Sequence, residues 1–288
     1  MSIAADVVLD PPLARHRGRA ARVFVARNPT LVAGCFVLAL LALSAVAAPA
    51  WTSVDPQKMS PIVRLRAPAA EHPFGTDHFG RDVYARTLYG GRISLRVGVT
   101  VALLALAVGT TVGLVSGYYR ALDTVVMRVV DGLMAIPSIL LALALMALVR
   151  ASVETVIAAL VVPEIPRVIR VVRASVLTLR EHTMVEGARA IGAGTPRVLL
   201  RYILPALVAP LIVQGTHICA SAILVESYLS FLGAGTPPHI PSWGNVMAEG
   251  RAYVQLGVWI ILFPGLFLML TVLSINLIGD GLRDLLKV

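Results

Sequence analysis

The sequence predicts an all-α integral membrane protein with six transmembrane helices. Of its 288 residues, 57% are hydrophobic and only 14% are charged, whereas soluble domains carry about 25% charged residues. The hydrophobic residues gather in runs close to the roughly 20 residues that span a bilayer. The formal net charge is +9, but no basic run is interleaved with aromatic side chains, as nucleic-acid binding would require. Arginine-rich loops on the inner side of the membrane explain this charge, and no nucleic-acid partner is expected.

The first predicted helix follows a basic segment. Residues 1–29 contain five arginines, which is typical of a cytoplasmic tail. The apolar run behind them predicts a first transmembrane helix at 30–51. The small residues that end this run also fit a cleaved signal peptide. The length of the run favours an uncleaved helix.

The segment 52–93 is rich in proline and loop-like, which predicts a periplasmic loop. The second apolar run, at about 95–117, carries Gly109, Gly113 and Gly117 on one helix face. Glycine at this spacing lets another helix backbone approach closely in lipid. We therefore expect these glycines to pack against a helix of the same bundle rather than to contact substrate.

The third and fourth runs are interrupted by proline. The third spans about 129–149 and contains Pro137, and the fourth, at about 153–172, is broken by two prolines. Glu164 lies three residues before Arg167, which predicts a local ion pair near the water boundary. An acid within a span can also belong to a proton relay, and that alternative stays open here.

The fifth and sixth runs complete the predicted bundle, at about 206–230 and 257–279. Six spans with an inside N-terminus place both termini in the cytoplasm, with the C-terminal segment at 282–288. Lysine and arginine are more frequent in the segments that this arrangement puts inside, as the positive-inside rule requires.

A polar segment at 184–205, MVEGARAIGAGTPRVLLRYILP, separates the fourth and fifth runs. Met184, Ala188 and Ile191 fall on one face of a helix. Gly192 ends this helix, because glycine accepts the left-handed backbone conformation. The apolar face needs a partner, which is the membrane surface, the same chain or another protein.

A second short helix is expected from Arg197 to Leu204. Thr195 suits its N-cap and Pro196 its first position. The two short helices and their turn, called here the 184–205 hairpin, then lead directly into the fifth run.

The letters EGARAIGAG…ILP in this hairpin resemble the EAA signature of ABC importer permeases. The matching positions are Glu186, Ala188, Gly192, Leu204 and Pro205. The sequence departs from the signature at Gly187, where the family usually has alanine, and at Tyr202, where isoleucine is usual.

The resemblance extends along most of the chain after residue 70. Three segments are similar to permeases of the dipeptide/oligopeptide/nickel subgroup: HPFGTDHFGRDVYARTLYGGRISLRVG at 72–98, ESYLSFLGAGTPPHIPSWGNVMAEGR at 226–251 and NLIGDGLRDLL at 276–286. The short first span and the periplasmic loop resemble the C-type subunit of this subgroup. The stretch PEIPRVIRVVR at 163–173 departs from the family, because it keeps the arginines but lacks the usual aromatic residues.

This resemblance implies a type I ABC importer permease fold, with a core at 94–281 that includes an EAA-like cytoplasmic loop at 173–205. It implies a multi-pass protein of the bacterial inner membrane that forms the translocation path for peptides or a related small solute. The implied partners are a second homologous permease, two ABC ATPase subunits, a periplasmic or lipid-anchored solute-binding protein, and membrane lipid. ATP would be used by the ATPase subunits, and no cofactor is expected on this chain.

The resemblance also implies a set of residues that couple the chain to the ATPase. They are Met184, Glu186, Ala188, Ile191 and Gly192. The apolar members would contact the ATPase, and Gly192 would set the turn. Glu186 has two possible roles: it pairs with a basic group of the ATPase, or it forms a local bridge to Arg180 or Arg189.

Glu226, near the end of the fifth run, is the candidate for the substrate path. Its two possible roles are a hydrogen bond to a neighbouring helix and contact with the transported solute. Membrane acids more often pair within the protein than bind peptide, which favours the first.

Sequence motifs for catalysis are absent. A P-loop needs a lysine that reaches the phosphates, and neither Lys58 nor Lys287 lies in such a motif. No metal-ligand spacing or catalytic triad is visible, so the chain is predicted to be a transport subunit and not an enzyme. The alternatives are an ion-coupled secondary transporter or channel, an intramembrane enzyme, and a purely structural subunit. Glu164 is the main hint of the first.

Overall fold

The structure is a computed structural model that describes residues 28–286. The predicted tail at 1–29 therefore lies almost wholly outside the described residues. Within the described part, the chain is helical and forms no β-strand beyond isolated bridges. The α-helices are α1 (Pro29–Val46), α2 (Ala48–Trp51), α3 (Val83–Tyr118), α4 (Arg120–Met134), α5 (Ser138–Ala147), α6 (Val153–Leu179), α7 (Thr183–Ala190), α8 (Thr195–Val198), α9 (Leu204–Phe231), α10 (Trp243–Gly250) and α11 (Trp259–Leu286).

The predicted count of six spans is not confirmed. Among the described residues, four helical segments are long and apolar enough to cross a membrane: α1, α3, the stretch Thr195–Phe231 and α11. The pair α4 and α5 adds a fifth span if its two members, bent by 85° at their junction, count as one. The remaining predicted run lies in α6, whose 27 residues reach about 40 Å. Its charged side chains set it apart from the other spans.

Two of the predicted runs have other boundaries in the structure. The second helix begins at Val83, because the Asp82 side chain accepts a hydrogen bond from the Ala85 amide at 2.7 Å and caps it. The loop predicted at 52–93 is therefore shorter. The third run is two helices, since Pro137 stands at the N-cap of α5 after a sharp bend.

The fourth run is one continuous helix, although the sequence predicts a break there. Pro163 and Pro166 both lie inside α6. Membrane helices tolerate proline where neighbouring groups satisfy the carbonyls that it leaves free. α6 packs along the length of α3, and this packing holds it straight through both prolines.

The contact between α3 and α6 is built on the three glycines of the second run. At each of them an added Cβ would meet a valine Cβ of α6 at 2.5 to 2.9 Å, closer than real side chains approach. The pairs are Gly109 with Val168, Gly113 with Val172, and Gly117 with Val176. The prediction of helix packing within the bundle is confirmed.

Candidate functional site

The 184–205 hairpin turns at Gly192, as the sequence predicts. Its first helix, α7, ends at Ala190, and Gly192 has a φ of +84°. The Ala193 amide donates to the Ala188 carbonyl at 3.0 Å and closes the turn. No atom lies within 4 Å of the place that a Cβ on Gly192 would occupy. The requirement for glycine is therefore the backbone conformation and not a lack of space.

The second limb of the hairpin is part of a long helix. α8 passes through a π-helical turn at Leu199–Ile203 into α9, so that Thr195–Phe231 is one helical segment of 37 residues. The prediction of Thr195 as N-cap is wrong: Thr195 is the first helical residue, makes no capping hydrogen bond, and the Gly194 carbonyl accepts the first helical bond from Val198 at 3.1 Å. The turn is therefore joined to a membrane span by continuous helix.

The apolar face of α7 divides into a buried part and an exposed part. Val185 and Ala188 are buried and face the bundle, where Val185 packs in one cluster with Val198 and other core residues. Ala188 is only 4% exposed, so that little of its side chain is accessible to a partner. Met184 and Ile191 are 50% and 83% exposed. These two form the free apolar tip of the hairpin.

Glu186 is exposed on the same helix. Within 28–286 its side chain makes neither a hydrogen bond nor an ion pair, and the local bridges considered from the sequence are not formed. Arg180 instead donates to the Gly117 carbonyl at 3.2 Å, and the Arg189 guanidinium lies 5.0 Å from the ring centre of Tyr118. Arg180 thus ties the end of α6 to the end of α3, and Arg189 ties the hairpin to it. The Glu186 carboxylate has no partner among the described residues.

Glu226 lies in a cage of hydroxyl groups and is 0% exposed. Its carboxylate accepts hydrogen bonds from Ser230 at 2.8 Å, from Ser94 of α3 at 3.4 Å and from Thr236 at 3.5 Å. The hydrogen bond to a neighbouring helix is therefore present. In this structure the side chain has no access to a solute path.

The loop after α9 is fixed by a residue that the sequence reasoning did not single out. The Asn245 side-chain amide donates to the carbonyls of Thr236, Pro237 and Ile240, each at 3.0 Å. The Trp243 indole, from the same helix, donates to the Thr87 carbonyl at 2.9 Å and is buried. The only signal in the sequence was the position of both residues in the 226–251 segment.

A buried network of charges joins the loop before α3 to α10. Asp77 accepts from Arg81 at 2.6 Å and from Arg86 at 2.7 Å, and both arginines also bind Glu249. Burial alone would raise the pKa of Asp77, but the guanidiniums of Arg86 and Arg81 outweigh it and hold this pKa below 3.8. The sequence did not reveal the network, because Glu249 is distant along the chain.

His78 adjoins this network, and Asp77, His78 and Glu249 lie close enough together to suggest a metal site. The carboxylate oxygens are already engaged by two guanidiniums. Two fixed positive charges at this distance oppose a cation. The donor set therefore fits an ion-pair network that anchors the loop.

Charged side chains of α6 form ion pairs along the span. Glu164 binds Arg167 at 2.7 Å, as the sequence predicts. Arg170 binds Asp131 at 2.8 Å, and Arg173 binds Asp123 of the same neighbouring helix, α4. These bonds hold α4 against α6.

Comparison with known proteins identifies the family. Residues 109–287, more than half of the chain, match the family described as "Binding-protein-dependent transport system inner membrane component". A Brucella abortus protein named as a peptide transport system permease is 47% identical over 260 residues, which cover 90% of this chain and 88% of that protein. The dipeptide transport system permease DppC of Alkalihalophilus pseudofirmus is 41% identical over 261 residues, covering 90% of this chain and 86% of that one.

Other relatives broaden the range of named solutes. The glutathione transport system permease GsiD of Pectobacterium atrosepticum is 38% identical over 267 residues, with 92% of this chain and 88% of that protein covered.

Among solved structures, the fold is similar to that of the MetNI methionine ABC transporter in an inward-facing conformation. The TM-score is 0.57 at 20% identity, with 68% of this chain and 94% of that chain covered. This likeness concerns the fold alone and supports the predicted type I importer fold. The family match and the sequence relatives show that the chain belongs to the binding-protein-dependent transport system inner membrane components, in the dipeptide and oligopeptide permease subgroup of the ABC importers.

Proposed function

We propose that this chain is one of two permease subunits of an ABC importer for small peptides, and that separate ATPases drive it through the 184–205 hairpin. The observation that carries the proposal is the continuous helix Thr195–Phe231. It begins at an exposed turn and runs into the membrane. A force on the turn therefore acts on the span without an intervening flexible joint.

The tip of the hairpin supplies the contact for the ATPase. Met184 and Ile191 expose apolar surface, and Glu186 adds a carboxylate that has no partner within the described residues. Arg189 fixes the hairpin to the end of α3, and Arg180 fixes the end of α6, just before the hairpin, to the same place. Because it is anchored to two spans, the hairpin can move both as rigid bodies when an ATPase dimer closes, which is a common form of alternating access.

The remaining parts of the importer follow from this arrangement. The hairpin and both termini lie in the cytoplasm, where the ATPases bind and use ATP. This chain itself binds no cofactor. A second permease covers the exposed faces of the bundle, and a solute-binding protein docks on the opposite side, on the loops at 72–82 and 233–256. The buried network around Asp77 gives that docking surface a fixed shape.

The ion-coupled alternative has no observation in its favour. Glu164 forms a local ion pair with Arg167. A single ion pair is not the chain of proton carriers that an ion-coupled transporter would need. The relatives are named as permeases of transport systems for peptides and glutathione.

The test removes the apolar tip without touching the core. In the double variant Met184→Asp/Ile191→Asp, we expect the ATPase subunits to be lost when the permease is purified from membranes, because two charges replace the apolar contact. The control is Ile62→Asp, which changes a residue that is 87% exposed on a distant loop and should leave recovery unchanged. Recovery of both ATPases with the double variant at the wild-type ratio would rule out docking at this tip.

A further inference from the structure

An open surface cavity of about 630 Å³ lies between the middle of α6 and the middle of α9, with apolar residues among its lining. Arg167 and Arg170 line it from α6, and Gln214 and His217 line it from α9. Among the described residues that line the cavity, none is acidic. All four of these side chains can donate hydrogen bonds, so the cavity offers several donors and a positive surface.

The position of this cavity on α9 limits what it can face. His217 lies near the midpoint of α9, which belongs to a candidate membrane span, and a charged group at the centre of a span costs about 2.5–3.5 kcal/mol when it faces lipid. His217 and Arg170 are nevertheless exposed on the surface of this chain. Such residues face the interior of the bundle or a water-filled path.

Each of the two guanidiniums makes one ion pair and keeps further donors. Arg167 donates a hydrogen bond to Glu164 at 2.7 Å, and Arg170 donates one to Asp131 at 2.8 Å. Each guanidinium has five N–H donors, so both keep donors for a ligand. The second oxygen of Glu164 is buried without a hydrogen-bond partner. One oxygen of Glu164 therefore holds Arg167, while the other has no hydrogen-bond partner among the described residues.

We infer that this cavity is a carboxylate-binding subsite on the translocation path, where Arg167 and Arg170 receive the C-terminal carboxylate of a passing peptide. The inference rests on the proposed function. Paired guanidiniums match the geometry of a carboxylate. The acids paired with them, Glu164 and Asp131, reduce the net positive charge and keep the binding weak. Weak binding suits a transport path, because the solute must be able to leave each site.

The first test measures access and charge preference in the assembled importer. Gln214→Cys is made after Cys35→Ser and Cys219→Ala, and is treated with methanethiosulfonates that carry either a sulfonate or a trimethylammonium group. Relative to free cysteine, the sulfonate reagent should react about tenfold faster, since the local potential concentrates anions. Adding Glu164→Gln, Arg167→Gln and Arg170→Gln should abolish this preference.

The matched control is Val99→Cys, at a residue that lines an apolar groove on the outside of the bundle. In lipid, neither charged reagent should modify it. If Gln214→Cys resists both reagents, the cavity is filled by another subunit and the inference is wrong. A charge preference equal to that of free cysteine would also overturn it.

The second test measures transport. The complex with Glu164→Gln/Arg167→Gln/Arg170→Gln is supplied with a mixture of di- to pentapeptides, and uptake is followed by mass spectrometry. Removing Glu164 together with Arg167 avoids a buried unpaired charge. We expect uptake at least about tenfold below wild type, with the ATPase subunits still recovered. Uptake equal to wild type would overturn the subsite. Failure of the wild-type complex to import any peptide would overturn the proposed function but would leave the labelling result standing.

Discussion

At the scale of single residues, backbone conformation and charge placement account for most of the candidate site. Gly192 is required for its left-handed conformation, while Glu226 and Asp77 are buried acids with different partners. Glu226 accepts only from hydroxyl groups among the described residues, whereas Asp77 lies between two guanidiniums. The sequence indicated the turn at Gly192, because Gly-Ala-Gly followed by Thr-Pro is a local pattern. It did not indicate the network around Asp77, because that network joins distant segments.

The first residue-scale prediction concerns Gly192→Val. A β-branched L residue at φ +84° costs at least about 1–2 kcal/mol, so the turn should open and uptake should be lost while membrane insertion remains normal. Insertion is measured by membrane fractionation and uptake with labelled peptide. The control is Gly187→Val, where no atom lies within 4 Å of the added Cβ and φ is not positive. Normal transport by Gly192→Val would contradict the role of the turn as part of a lever.

At the scale of elements, the pair α3 and α6 forms the rigid centre of the described bundle. The predicted glycine contacts are present, but α6 continues through Pro163 and Pro166, where the sequence predicts a break. The predicted break considered only the local effect of proline. Packing against α3, a tertiary contact, allows the helix to continue. In α4 and α5 the outcome differs, because the chain bends sharply before Pro137. Among the described residues, these two helices have no contact as extensive as that between α3 and α6 to hold them in line.

A prediction at this scale concerns Gly113→Ala. Its Cβ would lie 2.7 Å from the Cβ of Val172, and such overpacking costs about 1–3 kcal/mol. Thermal unfolding of the purified complex in detergent should therefore shift to lower temperature. Gly132→Ala is the control, since no atom lies within 4 Å of its added Cβ. Equal thermal stability of the two alanine variants would show that the glycine contact does not support the bundle.

At the scale of the whole molecule, the sequence predicts the class of fold and the order of its elements better than their number and limits. Composition and apolar runs are sufficient for an all-α membrane protein, and the motifs at 72–98 and 226–251 are sufficient for the family. The burial of Ala188 could not be predicted, because it depends on contacts formed only after the chain packs. The start of α3 at Val83 was missed although its signal is local, since Asp82 caps the helix by accepting from the Ala85 amide. The mid-span cavity also escaped prediction, since Arg167 and His217 belong to different helices.

We propose that the whole molecule is a passive path, which separate ATPases drive through the exposed 184–205 hairpin. The most direct test is peptide uptake into proteoliposomes, by the complete complex and by this chain alone, with and without ATP and a protonophore. We expect peptide to accumulate only with the complete complex and hydrolysable ATP. When ATP is present, the protonophore should have no effect. Accumulation by the chain alone, or uptake that persists without ATP and collapses with the protonophore, would contradict it.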